Sequence, residues 1–264
     1  MDRSPLDENR LRQYIGHSEL WRGVEIRDSV DSTNSVLSRQ AATSGVEPGT
    51  VLTAEQQTHG KGRSGRSWVT PSRAGIAVSV VLRPNAPMSR WSWLSLLAGV
   101  CVSEAIAGAC GVATQLKWPN DVLVGDRGAK VCGILAEVSA KSVVLGIGIN
   151  VSLRRDELPR DDTTSLGLEM DADPDRTGLL IALLQRLEHW FGRWEDAGGD
   201  PEDSGIAAQY RTRSHTLGNA VTATLPGGGA VRGMAMNVDD DGRLRINTAA
   251  GLVEVAAGDV QRVR

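Results

Sequence analysis

The chain has 264 residues, of which 41% are hydrophobic and 23% are charged, as in a soluble globular protein of one large domain or one domain with a small appendage. This composition excludes collagen, coiled coils and disordered chains. With 29 basic and 32 acidic residues the formal net charge is −3, which gives no overall positive field for holding a nucleic-acid backbone. Any basic binding site must therefore be local.

The cysteines and histidines give no pattern for a disulfide framework or for a metal site. They are scattered without CxxC spacing or pairing, at Cys101, Cys110, Cys132, His17, His59, His189 and His215. The N-terminal residues, MDRSPLDENRL, are charged and are followed by no apolar signal segment, so we expect a cytoplasmic protein.

The first 151 residues are predicted to contain two helices and six strands. A helix is expected to begin at the cap-rich segment Asp31–Asn34. The segment Trp91–Cys110 is apolar but contains serines and Glu104, which predicts a buried core helix and no membrane span. Strands are predicted around this helix, the last of them apolar on both faces. Their ranges are 49–55, 75–82, 114–118, 122–124, 132–138 and 142–151.

The composition of the chain changes twice after residue 153. Residues 154–176 are acidic and loop-like, and we interpret them as a solvated connector. Amphipathic spacing predicts a helix over 177–194 and a shorter one over 204–211. Beyond residue 216, four or five short strands separated by glycine-rich turns predict a small β-barrel that leans on the main domain.

One loop matches the dinucleotide pattern GxGxxG literally, but its context excludes that function. Residues 60–65 read GKGRSG, yet they lead towards a strand, and no acidic residue occurs between Gln56 and Ser103. The loop does place Lys61, Arg63 and Arg66 within six residues. Three cations among glycines suit a phosphate or carboxylate ligand, and a solvated basic loop is the alternative.

Two further motifs contain charged or amide side chains that could bind a ligand. Residues 117–121 read KWPND, which is either a polar site at a strand end or a turn whose Asn and Asp satisfy their own backbone. Lys130 enters an apolar run, where a lysine requires an anionic partner or an exposed end. A carboxylate or phosphate of a ligand would supply that partner.

Five motifs in unbroken order resemble the biotin protein ligases. They read DSTN, AEQQTHGKGRSGRSW, LKWPNDV, KVCGILAEV and VVLGIGINV, and the likeness extends from about Asp28 to Val151. Lys61 replaces the first arginine that the family usually has in the glycine loop, which keeps the charge but loses the bidentate fork. Cys132 replaces a common alanine and is interpreted as a small buried residue.

The resemblance implies an α+β fold like that of class II aminoacyl-tRNA synthetases and biotinyl protein ligases. A catalytic domain with a central mixed β-sheet flanked by helices is expected over residues 1–214. A small SH3-like β-barrel is expected over residues 215–264. Only about 30 residues precede DSTN, so we expect the monofunctional form without the N-terminal DNA-binding domain of some ligases.

The reaction implied has two steps, formation of biotinyl-5'-AMP from biotin and Mg²⁺–ATP, and transfer of biotin to a lysine of the carboxyl carrier domain of an acyl-CoA carboxylase. Neither DNA nor a membrane is an expected partner. By resemblance, the catalytic residues are Lys130 and Arg63. The biotin-binding residues are Ser32, Thr33, Asn34, Gln57, Lys61, Gly62, Arg63 and Lys130. The ATP and adenylate residues are Arg63, Arg66, Trp68, Lys117, Asn120 and Asn150, with Asp121 as a magnesium ligand.

Three other functions remain as alternatives to biotin ligation. A lipoate–protein ligase or octanoyltransferase shares the fold, but the GKGRSGRSW loop and KWPND favour biotin. A protein that only sequesters biotin or its adenylate is disfavoured by Lys130 and the arginine loop. A DNA-binding regulator is disfavoured by the charge balance.

Overall fold

A computed structural model describes residues 3–43, 45–139, 141–170 and 172–263. The larger of its two sheets has seven strands in the order β1-β2-β3-β7-β6-β5-β4, with β1 and β2 parallel and every other pair antiparallel. The predicted central mixed sheet is therefore confirmed. The strands are β1 Gly23–Arg27, β2 Thr50–Ala54, β3 Gly75–Leu82, β4 Thr114–Lys117, β5 Asp121–Val124, β6 Ala129–Ser139 and β7 Ser142–Asn150.

Helices cover the two faces of this sheet unequally. One face packs on a large core that includes α3 and α5, whereas the other packs on α2 around Leu37, Val81 and Val144. Because α2 has only 11 residues, it covers part of its face and leaves the rest open. The helices are α1 Glu8–Ile15, α2 Thr33–Thr43, α3 Trp93–Cys110, α4 Leu166–Met170, α5 Arg176–Asp196 and α6 Ile206–Arg213.

Helix α3 is the described helix that is long and apolar enough to cross a membrane, with a mean hydropathy of 1.6. It lies between the sheet and α5, and 67% of it is buried inside the protein. Both observations fit the core helix that its sequence predicts. Its end at Cys110 is set by Gly111, which adopts the left-handed conformation (φ 67°) and caps the helix through its N–H.

The C-terminal segment forms a separate antiparallel sheet that contacts α3 and the KWPND segment. Its strands are β8 Ala220–Thr224, β9 Ala230–Val238, β10 Leu244–Thr248, β11 Gly251–Val255 and β12 Asp259–Arg262, in the order β11-β10-β9-β8-β12. The indole N–H of Trp93 donates to Asp239 O (2.9 Å), and that of Trp118 donates to Gly242 O (3.1 Å). The predicted boundary at 214/215 lies between α6 and β8 and stays a prediction.

The connector at 154–176 is solvated at its charged residues 154–156 and 160–162, as predicted, but it is not a loop throughout. It contains α4 and buried Leu166, and it ends at a buried ion pair in which Arg176 Nη2 lies 2.7 Å from Glu55 Oε2. Arg176 also donates to Gly75 O (3.1 Å) and Ser4 O (3.0 Å). The charge of Arg176 is therefore satisfied inside the protein, which composition alone does not reveal. Helix α1 and strand β1 were not predicted either.

Candidate active site

A cavity of about 720 Å³ opens on the face of the large sheet that α2 leaves uncovered. Each of the fourteen predicted site residues lines it, although they come from five separate stretches of sequence. They are Ser32, Thr33, Asn34, Gln57, Lys61, Gly62, Arg63, Arg66, Trp68, Lys117, Asn120, Asp121, Lys130 and Asn150. The roles assigned to these residues by resemblance remain predictions, but their common location is now established.

Glycines in the two central strands form the floor of the cavity. Gly133 of β6 pairs with Gly148 of β7, and Gly146 lies two residues along the same face. A Cβ atom on Gly148 would lie 2.5 Å from the indole of Trp68, and one on Gly146 would lie 2.1 Å from Asn34 Oδ1. Both distances are too short for real contacts, so glycine at these positions makes room for the side chains above the sheet.

One end of the cavity is polar, and the first turn of α2 forms it. Ser32, Thr33 and Asn34 are buried there, which fits their prediction as residues that line the biotin pocket. The backbone N–H of Thr33 donates to Gln57 Oε1 (2.9 Å). This bond joins the helix N-terminus to the segment that leads into the glycine loop, so both parts of the polar end are held together.

The glycine loop closes over the cavity as a short hairpin. The N–H of Gly62 donates to Arg66 O (2.7 Å), and the N–H of Trp68 donates to Gly60 O (2.8 Å). Gly60 packs so closely that a Cβ there would lie 2.3 Å from Trp68 O. Position 60 therefore requires glycine, because any side chain there would collide with the backbone of Trp68.

The two arginines of the loop have different surroundings. Arg63 is part-buried, its Nη1 donates to Asn120 Oδ1 (3.4 Å), and burial lowers the pKa of its guanidinium from the usual value. Arg66 is exposed and lies 2.8 Å from Asp259 Oδ2 of β12, a hydrogen-bonded carboxylate that raises the pKa of Arg66. The loop therefore contacts both KWPND and the C-terminal sheet.

Lys130 projects into the cavity and has a protein partner. Its Nζ lies 2.5 Å from Asp121 Oδ1, and its ammonium is 5.6 Å from the ring centroid of Trp68. The anionic partner expected for this lysine is thus Asp121, the last residue of KWPND. Asn120 of the same motif donates to Ile134 O of β6 (2.7 Å). The Asn and Asp of KWPND are therefore satisfied by β6 and not by the backbone of their own turn, and the motif forms a wall of the cavity.

Several lining residues were missed by the sequence prediction. They come from the connector and from β12, namely Pro159, Arg160, Asp162, Thr163, Gly258, Asp259 and Gln261. The backbone N–H of Lys130 donates to Asp162 O (2.8 Å), and Asn150 Nδ2 donates to Thr164 O (2.9 Å). In both contacts the acceptor is a backbone carbonyl of the connector. Every residue type has such a carbonyl, so the residue types in the sequence could not have revealed these contacts.

No cluster for a protein-bound metal ion occurs in the described parts of the chain. Nowhere there do three or more His, Cys, Asp or Glu side chains come together in a suitable arrangement. Three carboxylates line the cavity, and each already pairs with a cation, Asp121 with Lys130, Asp162 with Arg160 and Asp259 with Arg66. A Mg²⁺ ion that arrives with a nucleotide needs few protein ligands, because phosphates and water supply most of its coordination.

Comparisons with known proteins agree with this geometry. The Biotin/lipoate A/B protein ligase family profile matches residues 26–153, and the profile of the Biotin protein ligase C terminal domain matches residues 216–263. The biotin–[acetyl-CoA-carboxylase] ligase of Mycobacterium tuberculosis is 44% identical over 99% of this chain and 97% of its own length. The bifunctional ligase/repressor BirA of Bacillus subtilis is 30% identical over 97% of this chain and 79% of its own.

Solved structures show the same architecture. The biotin protein ligase of Aquifex aeolicus in complex with biotin and ATP aligns with a TM-score of 0.77 and 28% identity, covering 92% of this chain and 100% of that one. The expected fold class is therefore confirmed. The chain belongs to the biotin/lipoate A/B protein ligase family and, within it, to the biotin protein ligases.

Proposed function

We propose that this enzyme activates biotin with ATP as biotinyl-5'-AMP and transfers it to one lysine of the carboxyl carrier domain of an acyl-CoA carboxylase. The observation that carries this proposal is one cavity that has a polar end at α2 and a cationic end at Lys130 and the glycine loop. A polar end suits the ureido ring of biotin, which offers one acceptor and two donors. The cationic end suits a carboxylate beside phosphates.

In the first step an oxygen of the biotin carboxylate attacks the α-phosphorus of ATP. A new C–O–P link forms while the bond from that phosphorus to the bridging oxygen breaks, and pyrophosphate leaves. Two anions must approach each other, so fixed cations at the meeting point lower the barrier. Lys130 is held there by Asp121, and Arg63 stands opposite on the loop, part-buried where its charge is poorly screened.

In the second step the amine of the carrier lysine attacks the carbonyl carbon of the mixed anhydride. An amide bond forms, AMP leaves with the electron pair of the broken C–O bond, and the amine loses a proton. The adenylate must survive until the carrier arrives, so water must be kept from its carbonyl. The hairpin of residues 60–66, anchored by Asn120 and Asp259, is the cover that serves this purpose.

The other partners of this proposal follow from charge and site chemistry. Mg²⁺ would enter as part of the ATP substrate, and Asp121 is the carboxylate proposed to hold it. The net charge of −3 supports a carrier protein, not DNA, as the macromolecular partner. The cytoplasm, where carboxylases and ATP meet, is the proposed location.

The test is to incubate the purified chain with labelled biotin, Mg²⁺–ATP and a carrier domain, and to follow pyrophosphate release and label on the carrier. Pyrophosphate release and carrier labelling should both depend on biotin, and EDTA should stop both. A parallel reaction with lipoate should give neither. Labelling with lipoate at a comparable rate would refute the assignment to biotin, and binding without turnover would leave only a sequestering protein.

A further inference from the structure

Arg3 joins the N-terminal segment to the connector that lines one wall of the cavity. Its Nη2 donates to the carboxylate of Glu157 and to the backbone oxygen of Ser152 (2.9 Å). We propose that Arg3 is a positioning residue that holds residues 154–161 of the connector in place, and with them the cavity wall beside the nucleotide. The inference rests on the proposed function for the identity of that nucleotide.

Arg3 is itself held in a fixed position. The residues that follow it bond the buried ion pair of Glu55 and Arg176. Ser4 O accepts from Arg176 Nη1 (3.0 Å), and the backbone N–H of Leu6 donates to Glu55 Oε1 (2.6 Å). The backbone next to Arg3 is therefore attached to the core of the protein, so its side chain can serve as a fixed point for the connector.

Glu157 is the residue through which Arg3 reaches the connector. It ends a short 3₁₀ helix, Arg155–Glu157, and its carboxylate also accepts from the backbone N–H (2.9 Å) and the Nη2 (2.9 Å) of Arg154. Those two bonds lie within the connector, so they shape it without attaching it to the rest of the protein. The side chains of Arg3 and Glu157 are only 19% and 14% exposed, so water screens this ion pair little.

No second contact of this kind holds the same stretch. Among the residues that the structure describes, Arg3 is the one outside the connector that forms a hydrogen bond or ion pair with residues 154–161. The apolar side chain within the stretch, Leu158, is half-buried and belongs to neither hydrophobic cluster. Packing therefore does not replace the Arg3 contact.

The connector is fixed to the sheet on either side of this stretch. Before it, the N–H of Ser152 donates to Ala74 O (2.8 Å), and after it, Asp162 O accepts from the N–H of Lys130 (2.8 Å). Residues 154–161 thus form a loop between two fixed ends, with the Arg3 contact near its middle. Without that contact the loop keeps its ends but can open away from the cavity.

The loop contributes part of the cavity wall at the cationic end. Pro159 and Arg160 line the cavity, and the chain then reaches the backbone of Lys130 through Asp162. Lys130 is the cation proposed to meet the biotin carboxylate and the α-phosphate. The polar end, proposed for the biotin ring, is formed by α2 instead. Loss of Arg3 should therefore weaken the binding of ATP and leave the binding of biotin almost unchanged.

Trypsin tests the contact without any substrate. The loop contains three arginines at which trypsin can cut, Arg154, Arg155 and Arg160. We expect cleavage there to be about five times faster in Arg3→Ala than in wild type, because local opening exposes the backbone to the protease. Arg12→Ala is the matched control, since it breaks an exposed ion pair within α1 and leaves the connector alone. Equal rates of connector cleavage in the two variants would overturn the proposal.

The kinetics of pyrophosphate release connect the contact to the reaction. For Arg3→Ala we expect the KM for ATP to rise about fivefold, with kcat and the KM for biotin within about twofold of wild type, because a loop that must be ordered on binding lowers affinity. Arg12→Ala should keep wild-type values. A purely structural role of Arg3 would raise both KM values together, and that result, or an unchanged KM for ATP, would refute the proposal.

Glu157→Gln provides a second route to the same answer. It keeps an acceptor for the N–H of Arg154 but removes the charge that Arg3 binds, so it should reproduce the effects of Arg3→Ala. The double variant should be no worse than Arg3→Ala alone, since both changes break one contact. If Arg3→Ala does not fold, Glu157→Gln decides, and a wild-type cleavage rate in it would contradict the inference. Cleavage needs neither biotin nor ATP, whereas the proposed function fails on its own if wild type makes no biotinyl-5'-AMP.

Discussion

Lys130 illustrates how one residue meets both a structural and a chemical requirement. Its ammonium would be costly inside an apolar strand, and Asp121 at 2.5 Å removes most of that cost. The same carboxylate holds the Nζ atom in place at the cavity. A lysine so placed is ready for an incoming carboxylate and phosphate without rearrangement, which is the condition for effective electrostatic stabilisation.

Replacing Lys130 with alanine should nearly abolish formation of biotinyl-5'-AMP. Loss of a comparable preorganised donor costs about 3–4 kcal/mol in the transition state, which corresponds to a fall in rate of roughly a hundredfold to a thousandfold. Pyrophosphate release measures this directly, and circular dichroism checks the fold. Lys141→Ala, at an exposed lysine in the turn after β6, should behave as wild type. Adenylate formation by K130A at near the wild-type rate would contradict the assignment.

Arg63 should hold the intermediate in place. Its replacement by glycine removes one charge-assisted contact of about 1.5–3 kcal/mol, so the adenylate should escape roughly ten to a hundred times faster. Escaped adenylate would label serum albumin added to the reaction, and a blot for biotin measures it. Ser64→Gly is the control, because Ser64 already has a positive φ of 54° and the change adds a glycine without removing a charge. Equal albumin labelling by both variants would show that loop flexibility, not Arg63, is responsible.

At the scale of elements, a buried ion pair joins four parts of the chain. Arg176 at the start of α5 bonds Glu55 after β2, Gly75 O at the start of β3 and Ser4 O in the N-terminal segment. Glu55 in turn accepts from the backbone N–H of Leu6 (2.6 Å). The pair therefore fixes the N-terminal segment and the end of the connector against the sheet.

Arg176→Leu should lower the free energy of unfolding by about 3–5 kcal/mol, because Glu55 would remain buried and charged without its partner. Urea unfolding followed by circular dichroism measures this change. Arg10→Leu breaks the neighbouring exposed pair with Asp175, and its unfolding midpoint should stay almost unchanged. Equal midpoints for the two variants would mean that the buried pair contributes no more than a surface pair.

At the scale of the whole molecule, the two sheets share one hydrophobic core. Val221, Ala235 and Leu244 of the C-terminal sheet belong to the same buried cluster as the residues under α3. Trp93 and Trp118 are each 1% exposed, and each donates its indole N–H to a carbonyl of the turn between β9 and β10. The small domain was predicted to depend on the main domain for its packing. The shared core and the two tryptophan hydrogen bonds show that the two domains meet in one continuous interface.

Deleting residues from Leu217 onward should destabilise the remaining catalytic part, because two tryptophans would be exposed and their N–H groups would lose their partners. We expect a red-shifted tryptophan fluorescence and a lower unfolding midpoint. Leu252→Ser is the control, since Leu252 is 57% exposed on the outer side of the same sheet and should not change the midpoint. A truncated chain that unfolds cooperatively at the wild-type midpoint would contradict the shared core.

The sequence by itself determined most of the central strands and helices and the part of the cavity lining that lies in its motifs. The strand β3 begins and ends where its apolar run does, at Gly75 and Leu82, and β7 ends one residue before the predicted end at Val151. These strands lie at the centre of the sheet, where both faces are largely buried. A strand buried on both faces consists almost entirely of apolar residues, so its ends can be recognised in the sequence. The fourteen predicted residues line the cavity, and they could be predicted because each belongs to a short local motif.

Only the tertiary structure decided which distant side chains meet. Asp259 pairs with Arg66 across 193 positions, Glu137 accepts a hydrogen bond from Asn34 across 103, and the acidic connector brings Asp162 to the backbone of Lys130. Charge and polarity in the sequence show that such residues need partners, but not which partners they find. That choice depends on the register and packing of strands far apart in the chain, because each contact is made between faces that only the completed sheets bring together.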